Sequence, residues 1–474
     1  MSRDEILSLL PPPNCCEYLV TEYFMRQCPL FHILHGPAFQ AQYNTFMEDP
    51  HGVELSWLAL LFSLCSMALH ILEEDDDVVT AIWTRHGQPQ PRDSSSLSYR
   101  LRMMAMVCLC QDDFLIRHQL HTLETLLILV YTINHYESVG RGWTLLGLAS
   151  NIAITLRCHD ANAEKAGLSP TEIERRRRCW AGVLMLHTNH AMSMGHIDMS
   201  FRLNISSVIP PPVNNADSKE HTILHSSREP SQMTMMGFKL RLFQLSSRIC
   251  RQLSEHIDVT SLNVFDDEVA AEQKQWDAVF LLDGEPSILD TSSYAHWCIL
   301  QLYAHQLFLL LHRPFCRGCD NSCFLPSSRI KCLTSGAALI DIHRKFLELP
   351  RLRAYRWYAY GMTGLYAIHG AVVLALCLFE GNTENWDTAP YLAIFIETIA
   401  RVEKLRCHSS ISAKAYPMLC QLKEILSLKP SQENTVESLD FVISFDEWLD
   451  AVQWLNPDSV NWDFWDSMPC CKLN

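Results

Sequence analysis

Residues 174–212 read ERRRRCWAGVLMLHTNHAMSMGHIDMSFRLNISSVIPPP, and this stretch decides the fold. Just before it, Ser169 can cap a helix and Pro170 can occupy the first helical position. Apolar side chains then recur at helical spacing as far as Met194, and a glycine follows. Pro210–Pro212 cannot continue a helix, because proline lacks a backbone donor. The stretch therefore predicts a long amphipathic helix followed by extended chain.

The same stretch resembles the signature of the fungal-specific transcription factor regulatory domain, which follows the binuclear zinc cluster in many fungal activators. The matching positions are Arg176, Arg177, Arg178, Trp180, Gly195 and Pro210–Pro212. At a few positions the family has a second tryptophan, charged residues or a proline, whereas this chain has Ala181, His187, Thr188, His196 and Ile197. If the chain does something its relatives do not, we expect it at His187, Thr188, His196 and Ile197.

Other motifs of this family follow in order along the chain. The entry motif is matched by Pro29, Leu30, Phe31, Leu34, His35, Pro37 and Phe39, and the late motif by Leu311–Phe315. The resemblance implies an all-α fold, a large array of helical hairpins forming one regulatory domain with loop insertions. We expect an N-terminal segment at 1–13, the regulatory domain at 14–437 with the strongest match over 14–380, and a separate tail at 438–474.

Helical periodicity and loop composition place further elements. We expect a buried helix at Trp57–Leu72, a loop at Gln88–Ser98, and a helical hairpin formed by Tyr99–Cys110 and Leu115–Tyr136. Later helices are predicted at Phe238–Ile257, Val264–Leu282, Thr291–Leu311, Cys332–Leu347 and Arg356–Phe379.

Composition limits the classes of function. The chain has 474 residues, 48% of them apolar, and a formal net charge of −15, so it lacks the basic footprint of a DNA-binding domain. Its 19 cysteines are scattered through apolar helical patterns, which favours buried thiols in a reducing compartment. The N-terminus is not typical of a signal peptide, and no apolar run is long enough for a membrane span. We expect a soluble protein of the nucleus, or also of the cytoplasm, with no membrane partner.

A binuclear zinc cluster needs six closely spaced cysteines, and the N-terminal region offers only Cys15, Cys16 and Cys28. Direct DNA binding is therefore not supported by this chain. Two interpretations stay open: the protein lacks its own DNA-binding module, or such a module precedes the sequence. We expect no cofactor, and zinc only if an upstream cluster exists.

A second arrangement of possible metal ligands lies around Cys316, Cys319 and Cys323, with His312 and Cys332 at either side. This spacing would permit one zinc site. The alternative is a group of free or buried thiols.

No nucleophile elbow, metalloprotease, phosphate-loop or dinucleotide motif is present in the sequence, so we expect no enzyme. His187, His190 and His196 form a candidate ligand-binding group, because the first two share a helix face and imidazole can bind a ligand or metal. The alternative is that they are polar replacements on a structural helix.

The arginine run Arg175–Arg178 has two interpretations. It can serve as a nuclear-localisation or phosphate-binding patch. Alternatively it belongs to the fold, with some arginines pairing with acids on neighbouring helices, and this second interpretation is the one we expect.

The tail from Ser438 interleaves aromatic, leucine and aspartate residues with almost no basic ones, a composition typical of acidic activation segments. The residues that would contact a coactivator are Phe445, Trp448, Leu449, Trp462, Phe464 and Trp465. The alternative is that the tail folds back and buries these rings.

The resemblance implies a fungal transcription regulator that controls a secondary-metabolite biosynthetic gene cluster. Its partners would be a coactivator or the transcription machinery, a second copy or a DNA-bound zinc-cluster protein, and a small-molecule effector. The alternative function is a helical domain recruited to bind a small molecule or to act as an enzyme of the pathway.

Overall fold

The computed structural model describes residues 1–73, 76–85, 94–136, 139–160, 167–194, 233–254, 257–316, 324–379 and 388–428. These residues are almost wholly helical, which confirms the all-α prediction. The chain divides into two compact units. The first contains residues 1–188 and 199–241, and the second contains residues 189–198 and 242–474.

The α-helices of the described residues are α1 (Arg3–Ser8), α2 (Pro13–Glu22), α3 (Gly36–Glu48), α4 (Leu55–Ala68), α5 (Asp77–Arg85), α6 (Ser94–Gln111), α7 (Leu120–Tyr136), α8 (Val139–Thr155), α9 (Pro170–Met194), α10 (Thr234–Ser254), α11 (Val259–Phe280), α12 (Thr291–His312), α13 (Pro326–Glu348), α14 (Trp357–Tyr360), α15 (Met362–Phe379), α16 (Ala389–Leu405) and α17 (Ser410–Leu428). A π-helical turn lies at Tyr23–Gln27. Short 3₁₀ helices lie at Cys28–Leu30, Leu69–Ile71, Arg313–Phe315 and Pro350–Tyr355. A two-stranded hairpin pairs Leu281–Leu282 with Glu285–Pro286.

Helix α9 begins where its sequence predicts. The Ser169 hydroxyl accepts a hydrogen bond from the Glu172 amide at 3.2 Å, and Pro170 is the first helical residue. This cap satisfies one of the amides that have no partner in the first turn. The prediction of its start is thereby confirmed; the helix is described as far as Met194, and the predicted stop at Gly195 lies outside the described residues.

The entry motif is an irregular connection between two helices. After α2 the chain forms a π-helical turn at Tyr23–Gln27 and then a 3₁₀ turn at Cys28–Leu30. Pro29 has no backbone N–H to donate in this turn. The next helix, α3, is capped by His35, whose Nδ1 accepts from the Ala38 amide at 3.2 Å. Residues 31–34 are thereby held as a short, buried, non-helical segment inside the first unit.

Helix α4 is the centre of the first unit, since Ser56–Ala68 are all buried. Helix α6 packs mainly against α4, whereas α7 packs against both α8 and α4, and α6 and α7 contact each other at few residues. The prediction of an α6–α7 hairpin is therefore wrong. Helix α4 is apolar on all sides and must be covered by neighbouring helices, so α6 and α7 pack on α4 rather than on each other. The loop prediction for Gln88–Ser98 is also too long, since α6 already begins at Ser94.

In the second unit, α13 and α15 cross at a pair of glycines. A Cβ built on Gly370 would lie 2.6 Å from the Gly336 carbonyl oxygen, so only glycine permits this backbone approach. The helix predicted at Arg356–Phe379 is interrupted at Gly361, which separates α14 from α15. Helices α16 and α17, which the sequence analysis did not predict, pack on α15.

Candidate functional site

The side chain of Arg178, on α9, is the most enclosed cation of the arginine run, with an exposed fraction of 1%. Its guanidinium donates to the Leu34 carbonyl at 3.0 Å and contacts His32 Nε2 at 2.8 Å. Its Nε donates to a Glu174 carboxylate oxygen at 2.8 Å. The arginine of the signature stretch thus binds directly to the entry motif.

The contact with Arg178 determines which nitrogen of the His32 ring carries the proton. Because a guanidinium can only donate, Nε2 of His32 must accept, and the ring proton lies on Nδ1. That nitrogen is 3.0 Å from the Cys28 sulfur. Burial, and then the charge of Arg178, lowers the pKa of His32 to about 3. The imidazole is therefore neutral at physiological pH and serves as an acceptor in the core.

Arg175 makes the second strong contact of the run. Its Nε and Nη2 donate to the two carboxylate oxygens of Glu124, on α7, at 3.0 Å and 2.9 Å. The Glu124 side chain is only 1% exposed. Burial raises the pKa of Glu124, and the guanidinium of Arg175 opposes this rise. The prediction that some arginines pair with acids on neighbouring helices is confirmed by this two-pronged pair.

Arg176 and Arg177 complete the run with contacts inside the same unit. Arg176 donates to Glu172 at 3.1 Å and also binds the Leu156 carbonyl. Arg177 approaches Glu174 at 3.6 Å and is the most exposed member, at 34%. All four guanidiniums are thus paired with acids of the fold, Arg177 at the longest distance. The run does not form an open basic patch for phosphate.

Lys239, on α10, is a buried cation that the sequence analysis missed. Its ammonium donates to the Leu30 carbonyl at 3.0 Å and lies 6.0 Å from the centre of the Tyr131 ring. That ring stacks on Phe31 of the entry motif, with centroids 4.6 Å apart. Burial lowers the pKa of Lys239 to about 7. Helices α7, α9 and α10 therefore all hold the entry motif.

His187 is the one member of the predicted ligand-binding group whose contacts are well described. Its Nε2 lies 2.6 Å from the Ser150 hydroxyl, and its ring meets the edge of Trp143 at 5.6 Å. Its Nδ1 is buried without a hydrogen-bond partner. Burial lowers the pKa of His187 to about 4, so the ring is neutral near pH 7. A neutral imidazole with one unused nitrogen can accept from, or donate to, a small ligand.

The other two histidines of that group are His190 and His196. His190 is buried, with an exposed fraction of 1%. His196 lies outside the described residues. A ligand-binding group of three histidines therefore stays a prediction.

The predicted metal site also stays a prediction. Cys319 and Cys323 lie outside the described residues, and within the described ranges no group of three or more His, Cys, Asp or Glu side chains is placed to hold a metal ion. Cys316 is buried and hydrogen-bonds to Cys332, whose pKa this contact and burial raise well above the usual value. Both nitrogens of His312 are engaged, by Ser328 at 3.0 Å and by Asp266 at 2.9 Å.

The predicted activation residues lie outside the described residues as well. They are Phe445, Trp448, Leu449, Trp462, Phe464 and Trp465. Among the helices that the structure does describe, none combines the length and the apolar character needed to cross a membrane.

Comparisons with known proteins identify what the chain is similar to. A family model described as "Fungal specific transcription factor domain" matches residues 20–277. An uncharacterized transcriptional regulatory protein of Schizosaccharomyces pombe is 23% identical over 474 residues, which cover 97% of this chain and 70% of that protein.

Two relatives from Fusarium carry more specific names. The equisetin cluster transcription factor of Fusarium heterosporum is 24% identical over 369 residues, 73% of this chain and 50% of that protein. The fusarisetin A cluster transcription factor of a Fusarium species is 23% identical over 367 residues, 73% of this chain and 47% of that protein. The matched part of each Fusarium protein is therefore half of its length or less.

Proposed function

The chain belongs to the fungal-specific transcription factor domain family, whose model matches more than half of it, and we propose that it controls the expression of a secondary-metabolite biosynthetic gene cluster. The family and the relatives are transcription factors, not enzymes. The observation that carries the proposal is the likeness to regulators named for such clusters. The buried contacts of Arg178 with the entry motif support the family assignment alone, since they join the two motifs on which the resemblance rests.

Deletion of the gene tests this proposal. We expect the transcripts of a contiguous set of biosynthetic genes to fall strongly, and the product of that set to disappear with no intermediate accumulating. Restoring the gene at another locus should restore the transcripts. Unchanged transcripts together with an accumulating intermediate would instead indicate an enzyme of the pathway and would overturn the proposal.

The proposed route to the transcription machinery is the tail at 438–474. Its alternating acidic and aromatic residues support binding to an apolar, basic-edged coactivator groove. In a fusion to an unrelated DNA-binding domain, we expect residues 438–474 to activate a reporter. Replacing Phe445, Trp448 and Leu449 by alanine should lower the output at equal fusion abundance. The polar segment 214–231 is the control and should be silent, and a silent tail would contradict the activation role.

The proposed site of action is the nucleus, together with a DNA-bound zinc-cluster protein as partner. The family membership supports both. Chromatin immunoprecipitation of the tagged full chain, before and after deletion of the candidate partner, would test the partnership. We expect the signal at the target promoters to disappear with the partner. A signal that persists would mean that the chain reaches DNA by another route.

A small-molecule effector is proposed to contact His187. The unused Nδ1 and the neighbouring Trp143, which is 38% exposed, support this position. We expect His187→Gln to change reporter output while the thermal midpoint of the protein is kept. His51→Gln, at an exposed histidine of the same unit, is the control and should change neither quantity. Equal output from all three proteins would remove His187 from the effector site.

A further inference from the structure

Two cysteine thiols meet in the interior of the first unit. Cys16 lies on α2 and Cys65 lies on α4, and their sulfur atoms are 3.6 Å apart. Both side chains are buried. Helices α2 and α4 pack directly against each other, so the contact belongs to a helix–helix interface. We call Cys16 and Cys65 the thiol pair.

The geometry of the thiol pair is suited to a disulfide. The two sulfurs of a disulfide are about 2 Å apart, so those of the thiol pair must approach by about 1.6 Å. Small rotations about the two Cα–Cβ bonds can supply this movement, because each rotation carries a sulfur sideways while the helices stay in place. The interface therefore holds both reactants of a disulfide next to each other.

The hydroxyl of Tyr43, on α3, lies close to the thiol pair and close to the surface. The pKa of Tyr43 is raised by burial and then by Cys16, Cys65 and Glu17. Glu17 is exposed, so the tyrosine hydroxyl has both thiols and a solvated carboxylate as neighbours. A movement of the Tyr43 ring is therefore enough to admit a small oxidant to the thiol pair.

The two thiols have different chemical roles. The contact with Cys16, followed by burial, raises the pKa of Cys65 well above the usual value, so Cys65 keeps its proton. A protonated thiol is a poor nucleophile towards an oxidant, so Cys65 does not react first. Cys16 has the larger influence on the Tyr43 hydroxyl, which places it on the side from which the oxidant arrives.

We propose that the thiol pair is a modification site for hydrogen peroxide, which joins Cys16 to Cys65 in a disulfide and locks α2 onto α4. The proposal goes beyond the proposed function, because oxidation of the thiol pair does not depend on which genes the protein regulates.

The reaction has two steps. The Cys16 sulfur attacks one peroxide oxygen, the O–O bond breaks, and the thiol proton leaves with the other oxygen as water, which makes Cys16 a sulfenic acid. The Cys65 sulfur then attacks the Cys16 sulfur, the S–O bond breaks, and the Cys65 proton leaves with the hydroxyl group as a second water. The two thiols lose two electrons, and these electrons reduce one peroxide to two waters.

The disulfide would close a loop that contains the entry motif and α3. In the reduced protein, this part of the chain can leave α4 by local unfolding. In the oxidised protein it stays tethered, and the unfolded chain has fewer conformations available. We therefore expect oxidation to raise the midpoint of thermal unfolding by about 5–10 °C.

Peptide mapping of the full chain tests the modification. The protein is treated with hydrogen peroxide, its remaining thiols are alkylated under denaturing conditions, and linked peptides are identified by mass spectrometry. We expect peptides joined through Cys16 and Cys65, which dithiothreitol separates. Oxidation of Cys110, an exposed thiol, shows that the dose was effective. Absence of the link at a dose that oxidises Cys110 would overturn the proposal.

Substitutions identify the cysteines that take part. Cys16→Ala and Cys65→Ala should each abolish the link, with a circular dichroism spectrum like that of the wild type. The matched control is Cys15→Ala, since Cys15 is the adjacent buried thiol on α2, and this variant should keep the link. A link that survives Cys65→Ala, or that Cys15→Ala removes, would contradict the assigned pair.

Thermal unfolding of the wild type tests the lock without any substitution. We expect the midpoint to rise after peroxide treatment and to return to its first value after dithiothreitol. The same treatment should not raise the midpoint of Cys65→Ala. An unchanged or lower midpoint in linked wild-type protein would show that the bond does not hold α2 on α4, and the proposed lock would be wrong.

Discussion

At the scale of single residues, the strongest constraints are buried charges with specific acceptors. Arg178 and Glu124 are each 1% exposed. Removing Arg178 would leave the Leu34 carbonyl without its donor, and removing Glu124 would leave the charge of Arg175 without its acceptor. Such losses cost far more than the loss of an exposed ion pair, because the remaining group has been taken out of water. The four neighbouring arginines of α9 are therefore chemically alike but energetically unequal.

Substitutions in the arginine run test this inequality. Arg178→Gln should lower the free energy of unfolding by about 3 kcal/mol, because the Leu34 carbonyl and His32 Nε2 lose their buried donor. Arg177→Gln, at the most exposed arginine of the run, should change it by less than about 0.5 kcal/mol. Urea denaturation followed by circular dichroism measures both. Equal losses would mean that Arg178 has no special role in the core.

Glu124→Gln should lower the free energy of unfolding by about 2 kcal/mol, because it leaves the enclosed guanidinium of Arg175 without its two-pronged acceptor. The matched control is Glu172→Gln, since Glu172 is 28% exposed and lies 3.8 Å from the same guanidinium. The control should cost less than about 1 kcal/mol. A larger loss in the control than in Glu124→Gln would contradict the assigned pairing.

These residue contacts were only partly predictable from the sequence. An acidic residue in the apolar run HTLETLLILV was a visible signal that Glu124 needs a buried cation, but its identity as Arg175 could not be read across 51 residues of chain. Lys239 gave no such signal, because a lysine between apolar residues of an amphipathic helix usually extends its ammonium to water.

At the scale of elements, local chemistry placed the helix ends better than the helix neighbours. The cap at Ser169 and the proline after it predicted the start of α9, because capping depends on residues close in sequence. The pairing of α6 with α7 was wrong, because the position of the buried helix α4 between its neighbours is a tertiary choice that periodicity does not encode. Helices α16 and α17 lie beyond the part of the chain that the motifs cover, so no motif drew attention to them.

Glycine substitutions test how closely the elements approach. Gly370→Ala should destabilise the second unit by about 2 kcal/mol, because its methyl group would meet the Gly336 carbonyl of α13 at 2.6 Å. Gly147→Ala, on α8, should instead stabilise the protein by about 0.5–1 kcal/mol, since nothing lies within 4 Å of the new methyl group. The shift of the thermal midpoint gives both signs. A stabilising effect at Gly370 would mean that α13 and α15 are further apart than described.

At the scale of the whole molecule, buried neutral histidines make the fold sensitive to acid. Burial lowers the pKa of nine histidines: His32, His35, His70, His121, His135, His187, His305, His343 and His369. Below the unfolded value of about 6.5 the unfolded chain binds protons that the folded chain does not, so stability is complete above that pH and falls as the pH decreases towards 4. Each group contributes up to about 1.4 kcal/mol per pH unit.

Six of these groups lie in the first unit and three in the second. The six can remove up to about 17 kcal/mol over two pH units, which exceeds the total stability of a typical domain, about 5–15 kcal/mol. We therefore expect cooperative unfolding with a midpoint between pH 6 and pH 4, measured by tryptophan fluorescence during acid titration. A chain unfolded only by carboxylate protonation would keep its structure to a lower pH. A midpoint below pH 3.5 would thus refute the histidine explanation.

The contacts of the entry motif can form only late in translation, because their partners are far away in the sequence. The Leu30 carbonyl cannot accept from Lys239 until the ribosome has added 209 more residues. At about 5–20 residues per second, this interval lasts about 10–40 s. During that time the entry motif lacks its contact with α10, and for most of it the motif also lacks α9. We therefore expect the nascent N-terminal half to expose this apolar segment until the chain has passed residue 239, and a translational pause before that point would lengthen its exposure to proteases.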